Sequence, residues 1–256
     1  MVDVLVMAGG SKAGPLADQE GITNKAFIPL NGKPMLAYIL EGLSAAPSVN
    51  RVVVVGPTHD LFKMQQAGYS FVVVPEVGTM LENAAAGLEE VEPGQLCLVV
   101  TADIPLLDNT AVEEFLKLCE PLDADFYYPI LTRESCESRF PDTKRTYVQL
   151  KDGVFTGGNV VLLSPVWFLK YRHRLEKFIA YRKKPLKLLR MFPPVFILKY
   201  LFRCLTVADL ENKLSQLLQL KARAIPCDLL AIGTDVDKLS DLAVVRKALQ
   251  EAGTRV

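Results

Sequence analysis

The sequence lacks several features that mark whole classes of proteins. No uncharged apolar run approaches the roughly 20 residues that a membrane-spanning helix needs. The amino terminus has no basic region ahead of an apolar stretch, so we expect no signal peptide. The formal net charge is zero, which argues against a protein that is basic throughout and binds nucleic acid non-specifically. We therefore expect a cytoplasmic protein without a nucleic-acid partner.

Cysteine and histidine are too few or too scattered for several kinds of site. The five cysteines include no close pair, which argues against a disulfide framework and against a zinc site. The two histidines, His59 and His173, do not stand beside a plausible nucleophile. Any chemistry performed by this chain is therefore expected to depend on other residue types.

Apolar residues make up half of the 256-residue chain, enough for one domain over residues 1–256. Apolar, β-branched runs predict strands at 2–7, 51–55, 71–74 and 96–100. Helical spacing predicts helices at 34–44, 58–66 and 79–90, with Pro34 in a first turn and Thr79 as an N-cap. This alternation is typical of an α/β fold, a Rossmann-like, mostly parallel central sheet with helices on both faces.

The second half of the chain follows a different pattern. Strands are predicted at 125–131, 145–150 and 160–163, with an Asp-Gly hairpin turn at 152–153. An amphipathic helix is predicted at 206–220, an edge strand at 223–226 and a terminal helix at 240–252. Two adjacent glycines precede Asn159, and they indicate either close approach of the backbone to a ligand or a bulge.

A basic aromatic segment, residues 167–203, lies inside a predicted helical insertion at 164–220. It holds eleven Lys or Arg residues, one acidic residue and nine of the 21 aromatic residues. Pro185 and the pair at 193–194 predict a division into short helices. Such a composition is typical of a segment that binds an anionic membrane surface or an anionic substrate. It is also typical of an ordinary helical subdomain with extended basic side chains. We expect possible peripheral membrane contact here.

Three loops carry the residues most suited to chemistry. The glycine loop 8–14 follows the first strand, and its backbone N–H groups, with Lys12 and Lys25 nearby, suit a triphosphate or make a plain turn. Asp103 follows the fourth predicted strand, where a ligand or metal role is favoured over helix capping, because Asp108 or Asn109 could cap the next helix more directly. Asp235 and Asp237 stand two positions apart before the last helix, and either could face the site.

Four sequence motifs together resemble those of nucleotidyltransferases with a glycosyltransferase-A-like fold. The motifs are VMAGG at 6–10, NKAFIPLNGKPML at 24–36, TADIP at 101–105 and TDVDKLSDL at 234–242. The family includes the molybdenum-cofactor guanylyl- and cytidylyltransferases and the sugar-phosphate nucleotidyltransferases. The resemblance covers roughly residues 1–165 and 221–256. One departure is that the family usually carries Arg where this chain has Lys12 or Gly14, and lysine cannot make the bidentate phosphate contact.

The resemblance implies transfer of a nucleoside monophosphate from a nucleoside triphosphate, CTP or GTP, to a phosphorylated small-molecule or lipid-linked acceptor, with release of pyrophosphate. It implies Mg²⁺ held by Asp103 and Asp235, with Lys25 as the third catalytic residue. The nucleotide-binding residues would be Ala8, Gly9, Gly10, Ser11, Lys12, Lys25, Glu76, Gly78 and Asn83. The acceptor-binding residues would be Arg145, Tyr147, Thr156, Gly158 and Asn159.

Two alternatives remain. The same fold serves glycosyltransferases that use a nucleotide sugar, although the Gly-Lys-Pro motif with Lys25 favours a triphosphate. The missing arginine is also compatible with a non-catalytic nucleotide-binding module.

Overall fold

The computed structural model of the protein describes residues 1–10, 16, 21–141, 143, 145–181 and 192–253. Ser11, Lys12 and Gly14 of the predicted nucleotide loop lie outside the described residues. So do Pro185 and all five basic residues between 182 and 191. None of the helices in the described part is long and apolar enough to cross a membrane.

The described strands form one large sheet and one two-stranded hairpin. In chain order the strands are β1 (Val2–Met7), β2 (Pro29–Leu30), β3 (Lys33–Pro34), β4 (Val49–Gly56), β5 (Val72–Pro75), β6 (Cys97–Thr101), β7 (Phe126–Thr132), β8 (Val148–Leu150), β9 (Gly153–Gly157), β10 (Val160–Leu163) and β11 (Ala222–Cys227). The large sheet has the order β5-β4-β1-β6-β10-β7-β9-β8, β11 pairs with β7, and β2 pairs with β3 to form the hairpin.

Most strands of the large sheet run in one direction. β1 lies at its centre, where Leu5 is in register with Val53 of β4 and Val99 of β6, both parallel. β10 is antiparallel to β6 and β7, and β9 is antiparallel to β7. The carboxyl ends of β1, β4, β5 and β6 therefore share one edge with the beginning of β10, and the loops at that edge carry the candidate site.

In chain order the described α-helices are α1 (Met35–Ser44), α2 (Thr58–Gln66), α3 (Met80–Leu88), α4 (Asn109–Leu118), α5 (Arg133–Arg139), α6 (Pro165–Tyr181), α7 (Pro194–Leu201), α8 (Val207–Leu218), α9 (Leu230–Gly233) and α10 (Leu239–Gly253). The predicted N-cap Thr79 is confirmed, because its hydroxyl accepts a hydrogen bond from Glu82 N and the two residues form a capping box. Asp108 caps α4 by accepting from Ala111 N at 2.8 Å. Asp103 is therefore not needed as a cap for that helix.

Helices cover both faces of the sheet, which confirms the predicted fold class. Val4 and Val6 of β1 point into a core cluster shared with α1 and α4. Leu5 points the other way, into a cluster shared with α3 and α6. Because successive side chains of a strand alternate between faces, a continuously apolar strand such as β1 requires this double cover.

One strand predicted in the second half is shorter in the structure. The strand predicted at 145–150 is confined to Val148–Leu150, because Arg145 turns its guanidinium to Gly233 O and Thr234 Oγ1. The hairpin prediction is confirmed, since Leu150 pairs with Gly153 across the turn. The predicted edge strand is also confirmed: β11 pairs with β7 alone among the described strands.

Asp3 is the one charged residue in β1, and the fold explains it. Its carboxylate is buried and accepts hydrogen bonds of 2.9 Å from Asn50 Nδ2, Arg51 Nη2 and Glu92 N. Burial raises the pKa of Asp3, but the bonds from Glu92 N, Asn50 and Arg51 outweigh burial and hold the pKa below its ordinary value of 3.8. The acid therefore ties β1 to β4 and to the turn before β6.

Replacing Asp3 with Ala is expected to lower the free energy of unfolding by about 2–3 kcal/mol, because three donors lose their acceptor. A carboxyl whose pKa is lowered by folding stabilises the protein above its unfolded pKa, and this contribution is lost as pH falls below 3.8. Denaturant unfolding should show the difference between the two proteins shrinking over that pH range. Glu137→Ala, which removes an exposed pair with Arg133, is the control and should cost about 0.5 kcal/mol or less. A deficit for Asp3→Ala that does not change with pH would contradict this account.

Candidate active site

Loops from distant parts of the chain meet at the carboxyl edge of the sheet. Asp103 follows β6, and its carbonyl oxygen accepts a hydrogen bond from Val236 N at 2.9 Å. That bond holds the segment after α9, which contains Asp235 and Asp237, beside the end of β6. Asn159 N donates to Ile232 O at 2.7 Å, which ties the beginning of β10 to α9, immediately before that segment.

Three carboxylates form the centre of the site. Asp103, Asp235 and Asp237 each offer an oxygen, and these atoms lie within 4.8 Å of one another. Thr101 Oγ1 donates to Asp103 Oδ1 at 2.5 Å and fixes the orientation of that carboxylate. Carboxylate oxygens are the ligands that Mg²⁺ takes from proteins, so the donor set fits a hard divalent cation. Sequence position alone did not choose between Asp235 and Asp237, and the fold brings both to Asp103.

Lys25 supplies the positive charge of the cluster. Its Nζ lies 2.7 Å from Asp103 Oδ2 and 2.7 Å from Asp237 Oδ1. Burial lowers the pKa of Lys25, but the charges of Asp103 and Asp237 outweigh burial and raise it, so the ammonium stays charged at neutral pH. The same contacts outweigh the effect of burial on Asp237 and lower its pKa.

Asp235 lies in a different environment within the cluster. Burial raises its pKa first, and the negative charges of Asp103 and Asp237 raise it further. Lys25 forms hydrogen bonds with the other two carboxylates. Asp235 is thus the carboxylate whose charge is least compensated by the protein itself, which is the arrangement that a bound cation would relieve.

Asn24, which the sequence reasoning missed as a functional residue, positions Lys25. Its Oδ1 caps the 3₁₀ helix Lys25–Phe27 by accepting from Ala26 N at 2.9 Å. Its Nδ2 donates to Ala8 O at 2.7 Å, which joins the Lys25 segment to the glycine loop. An asparagine immediately before a short helical turn is a recognisable cap signal, and this signal was available in the sequence.

The glycine loop contacts the segment between β5 and α3. Gly10 N donates to Glu76 Oε2 at 3.0 Å, and a Cβ on Gly9 would lie 2.9 Å from Asn83 Nδ2. Asn83 is buried, and its Oδ1 accepts from Val77 N at 2.7 Å and from Gly78 N at 3.2 Å. The predicted nucleotide residues of these two segments are therefore neighbours, with Asn83 shaping the loop that holds Glu76 and Gly78.

A cavity of about 240 Å³ adjoins the acid cluster on its other side. Three of the five predicted acceptor residues line this cavity, namely Arg145, Thr156 and Asn159. The wall also contains residues that were not predicted for the acceptor, namely Thr143, Thr146, Gly157, Gly233, Asp235, Asp237, Lys238 and Asp241. Two of the three clustered aspartates, Asp235 and Asp237, therefore form part of the cavity wall.

The other two predicted acceptor residues, Tyr147 and Gly158, do not line this cavity. The Tyr147 ring packs under Arg133, 5.3 Å from its guanidinium carbon, and against the core. A Cβ on Gly158 would lie 2.9 Å from Pro129 Cγ, so close packing accounts for this glycine. Gly157 is likewise covered by the ring of Tyr128. Close packing against neighbouring side chains therefore accounts for both glycines of the pair.

Arg145 holds the start of the TDVDKLSDL motif, residues 234–242, in place from within the cavity. Its guanidinium donates to Gly233 O and, at 2.9 Å, to Thr234 Oγ1. Thr234 is buried and donates to Leu230 O at 2.7 Å. The guanidinium thus fixes the backbone immediately before Asp235 and also offers positive charge at the cavity wall.

Comparison with proteins of known structure identifies close relatives of this fold. A transferase structure from Thermus thermophilus, described as hypothetical, has 37% sequence identity and a TM-score of 0.82 over 94% of this chain and 99% of its own. The structure of CMP:2-keto-3-deoxy-manno-octonic acid synthetase complexed with CTP has 12% identity and a TM-score of 0.66 over 98% of this chain and 100% of its own. At that identity the second likeness concerns the fold alone.

Comparison of sequences finds proteins that are named cytidylyltransferases. The 2-C-methyl-D-erythritol 4-phosphate cytidylyltransferase of Clostridium acetobutylicum is 26% identical over 104 residues, which cover 38% of this chain and 45% of that protein. The chain spans less than half the length of the curated relatives it matches. The family profile of the MobA-like NTP transferase domain matches residues 4–223. The chain therefore belongs to the family of MobA-like NTP transferase domains.

Proposed function

We propose that the protein is a Mg²⁺-dependent nucleotidyltransferase that transfers a nucleoside monophosphate from a nucleoside triphosphate to the phosphate of an acceptor. The observation that carries the proposal is the cluster of Asp103, Asp235, Asp237 and Lys25 between two binding regions. The glycine loop lies on one side of the cluster and the cavity on the other. A triphosphate and a phosphorylated acceptor need two such regions that meet at a centre able to hold a divalent cation.

In the proposed reaction, an oxygen of the acceptor phosphate forms a bond to the α-phosphorus of the nucleotide. The bond from that phosphorus to the oxygen bridging to the β-phosphate breaks, and pyrophosphate leaves with the electron pair. A phosphate monoester is already anionic at neutral pH, so the nucleophile requires no general base. In agreement with this chemistry, neither histidine is among the residues that line the cavity.

The three aspartates would hold the divalent ion, which supplies charge neutralisation for the phosphate oxygens of both substrates. The residues of this chain fit that role, since they offer three oxygen ligands close together and one of them, Asp235, has little compensation from Lys25. The ordered contact from Thr101 to Asp103 keeps one carboxylate fixed before substrate binds.

Lys25 would stabilise the negative charge that builds up around the α-phosphorus. Its ammonium is charged, is anchored through the Asn24 cap and is already positioned at the carboxylates. At Gly10 a Cβ would meet no atom within 4 Å, so the backbone there is open to a nucleotide beside Glu76, whereas Gly9 is packed against Asn83. Catalysis would then depend on positioning and on fixed charge, as in other phosphoryl transfers.

Arg145 and Lys238 would attract the acceptor phosphate, because both are basic and both line the cavity. Thr156 and Asn159 add hydroxyl and amide groups that can form hydrogen bonds with the acceptor. The cytidylyltransferase relative, whose name gives a 4-phosphate acceptor, supports CTP as the first nucleotide to test, with GTP second.

The test is a screen of CTP, GTP, UTP and ATP for binding and for pyrophosphate release against sugar, polyol and cofactor phosphates with Mg²⁺ present. We expect one nucleotide to bind and to release pyrophosphate only when an acceptor is added. Release of a nucleoside diphosphate from a nucleotide sugar, with no pyrophosphate, would establish the glycosyltransferase alternative. Nucleotide binding without turnover across the panel would support a non-catalytic module.

A further inference from the structure

An apolar groove of about 250 Å³ lies between the sheet and α8, beside the catalytic cavity. Its walls include Tyr128, Val148, Phe155 and, from α8, Leu210 and Leu214. Three residues, Thr146, Thr156 and Gly157, line both the groove and the cavity. The two spaces are therefore adjacent, separated only by residues that they share.

The two charged residues that line the groove, Arg223 and Glu211, already have partners in the protein. Arg223 forms two hydrogen bonds of 2.9 Å with the carboxylate of Asp123. Glu211 Oε1 accepts from Ala224 N at 2.6 Å. The surface left for a ligand is consequently hydrocarbon and aromatic, which matches a hydrocarbon chain better than a sugar or a polyol.

Helix α7 lies beside the same groove and is unusually exposed for its composition. Only one of its eight residues, Lys199, is charged, yet in the part of the chain that the structure describes none of the helix is buried. Phe196 packs against Leu150 and Phe155, which also line the groove. On the outer side, Leu198 and Leu201 are 51% and 67% exposed.

Further exposed apolar residues lie at both ends of α7, and a basic residue follows the helix. Val195 and Phe202 are 64% and 74% exposed, and Arg203 follows directly. The segment 167–203 that contains α7 carries eleven basic residues and one acidic residue in sequence, and five of the basic ones, at 182–190, lie outside the described residues. On α7 itself, Lys199 Nζ pairs with Asp209 Oδ1 at 2.8 Å. An apolar helix surface within a strongly basic segment is complementary to an anionic lipid bilayer, where apolar side chains enter the interface and basic ones face the headgroups.

We propose that the acceptor is a membrane lipid with a terminal phosphate monoester, that α7 docks on the bilayer, and that the groove holds the first part of the lipid's hydrocarbon chain. The inference rests on the proposed nucleotidyl transfer and names its acceptor class. The groove is too small for a whole lipid, so the rest of the chain stays in the bilayer. The phosphate reaches the cavity, and the groove selects against acceptors without a chain.

Membrane docking is tested by co-sedimentation with vesicles of phosphatidylcholine alone or with added phosphatidylglycerol or phosphatidic acid. We expect binding to both anionic vesicles at low salt and little binding to the neutral ones. Leu201→Asp should weaken that binding by about tenfold or more, because it removes an apolar contact and adds a repelled charge. Phe62→Asp, at a 52% exposed position on α2, is the matched control and should bind like the wild type. Equal recovery with neutral and anionic vesicles, or equal loss in the two variants, would overturn the docking surface.

The acceptor class is tested by pyrophosphate release, with nucleotide binding measured separately. Phosphatidic acid in vesicles has the phosphate monoester and the chains, phosphatidylglycerol lacks the monoester, and glycerol 3-phosphate lacks the chains. We expect release with phosphatidic acid alone, and an increase of about tenfold or more in its apparent KM in Val148→Asp but not in Phe62→Asp. Val148 is 42% exposed, so the variant should fold.

Each other result contradicts a different part of the proposal. Equal release with glycerol 3-phosphate would overturn the lipid acceptor and leave nucleotidyl transfer standing. Release with phosphatidic acid that is unchanged in Val148→Asp would overturn the role of the groove. Dodecyl phosphate, which has a phosphate monoester and one chain, is added as a further acceptor. Nucleotide binding without pyrophosphate release from any acceptor would overturn nucleotidyl transfer and the lipid acceptor together. The docking surface would still be decided by the vesicle binding experiment.

Discussion

Asp103→Asn is expected to reduce pyrophosphate release by about a thousandfold while the protein remains folded. The amide keeps the size of the side chain but removes one of the three negative charges that would hold the divalent ion. It also weakens the contact with Lys25, whose Nζ lies 2.7 Å from Asp103 Oδ2. Turnover is measured with saturating nucleotide and acceptor over a range of Mg²⁺ concentrations, because the loss should not be restored by more metal alone.

Asp108→Asn is the matched control for this experiment. Asp108 lies five positions further on and caps α4, and asparagine is an equally good N-cap. The control should therefore keep both its stability and its turnover close to those of the wild type. Turnover of Asp103→Asn within a few fold of the control would rule out a catalytic role for Asp103 and, with it, the proposed centre.

Lys25→Met is expected to lower turnover by about a hundredfold and, at the same time, to increase the stabilisation gained on adding Mg²⁺. The ammonium contacts Asp103 and Asp237, so it competes with a divalent ion for the same carboxylate oxygens. Without it, the three carboxylates repel one another with no internal cation to offset their charge. The apo protein should lose stability, and metal binding should restore more of it than in the wild type.

Thermal unfolding with and without Mg²⁺ distinguishes the two site variants. The metal-induced rise in Tm should be larger than wild type in Lys25→Met and smaller in Asp103→Asn, because one variant removes a competitor and the other a ligand. Lys63→Met, which removes an exposed lysine paired with Asp60, serves as the control for loss of a charge. A metal-induced shift in Lys25→Met smaller than that of the wild type would mean that Lys25 does not compete with the ion.

The fold could be predicted from the sequence because its signals are local. β1 and β10 have the predicted bounds, and α2 also matches, since each is an apolar run or a helical pattern bounded by turn residues. The prediction at 145–150 was too long, because the contact of Arg145 with Gly233 and Thr234 joins residues almost ninety positions apart. No local pattern contains that information.

For the candidate site, too, local signals in the sequence were informative and contacts between distant residues could not be predicted. Lys25 and Asp103 could be placed near each other because each follows a strand whose end lies at one edge of a parallel sheet. Tyr147 was grouped with Arg145 on the assumption that both lay in one strand, where alternate side chains share a face. The residues do not form a strand there, and Tyr147 packs against Arg133 instead.

By itself, the sequence determined the α/β class, the order of most elements and the residue types available for phosphate chemistry. Periodicity, turn residues and caps act over a few positions, so they can be read along the chain. Only the tertiary structure decided that Asp237 joins Asp103 and Asp235, that Lys25 bridges two of them, and that an apolar groove opens beside the cavity. Those features depend on distances between segments far apart in sequence, and these distances are set by the packing of the sheet and its helices.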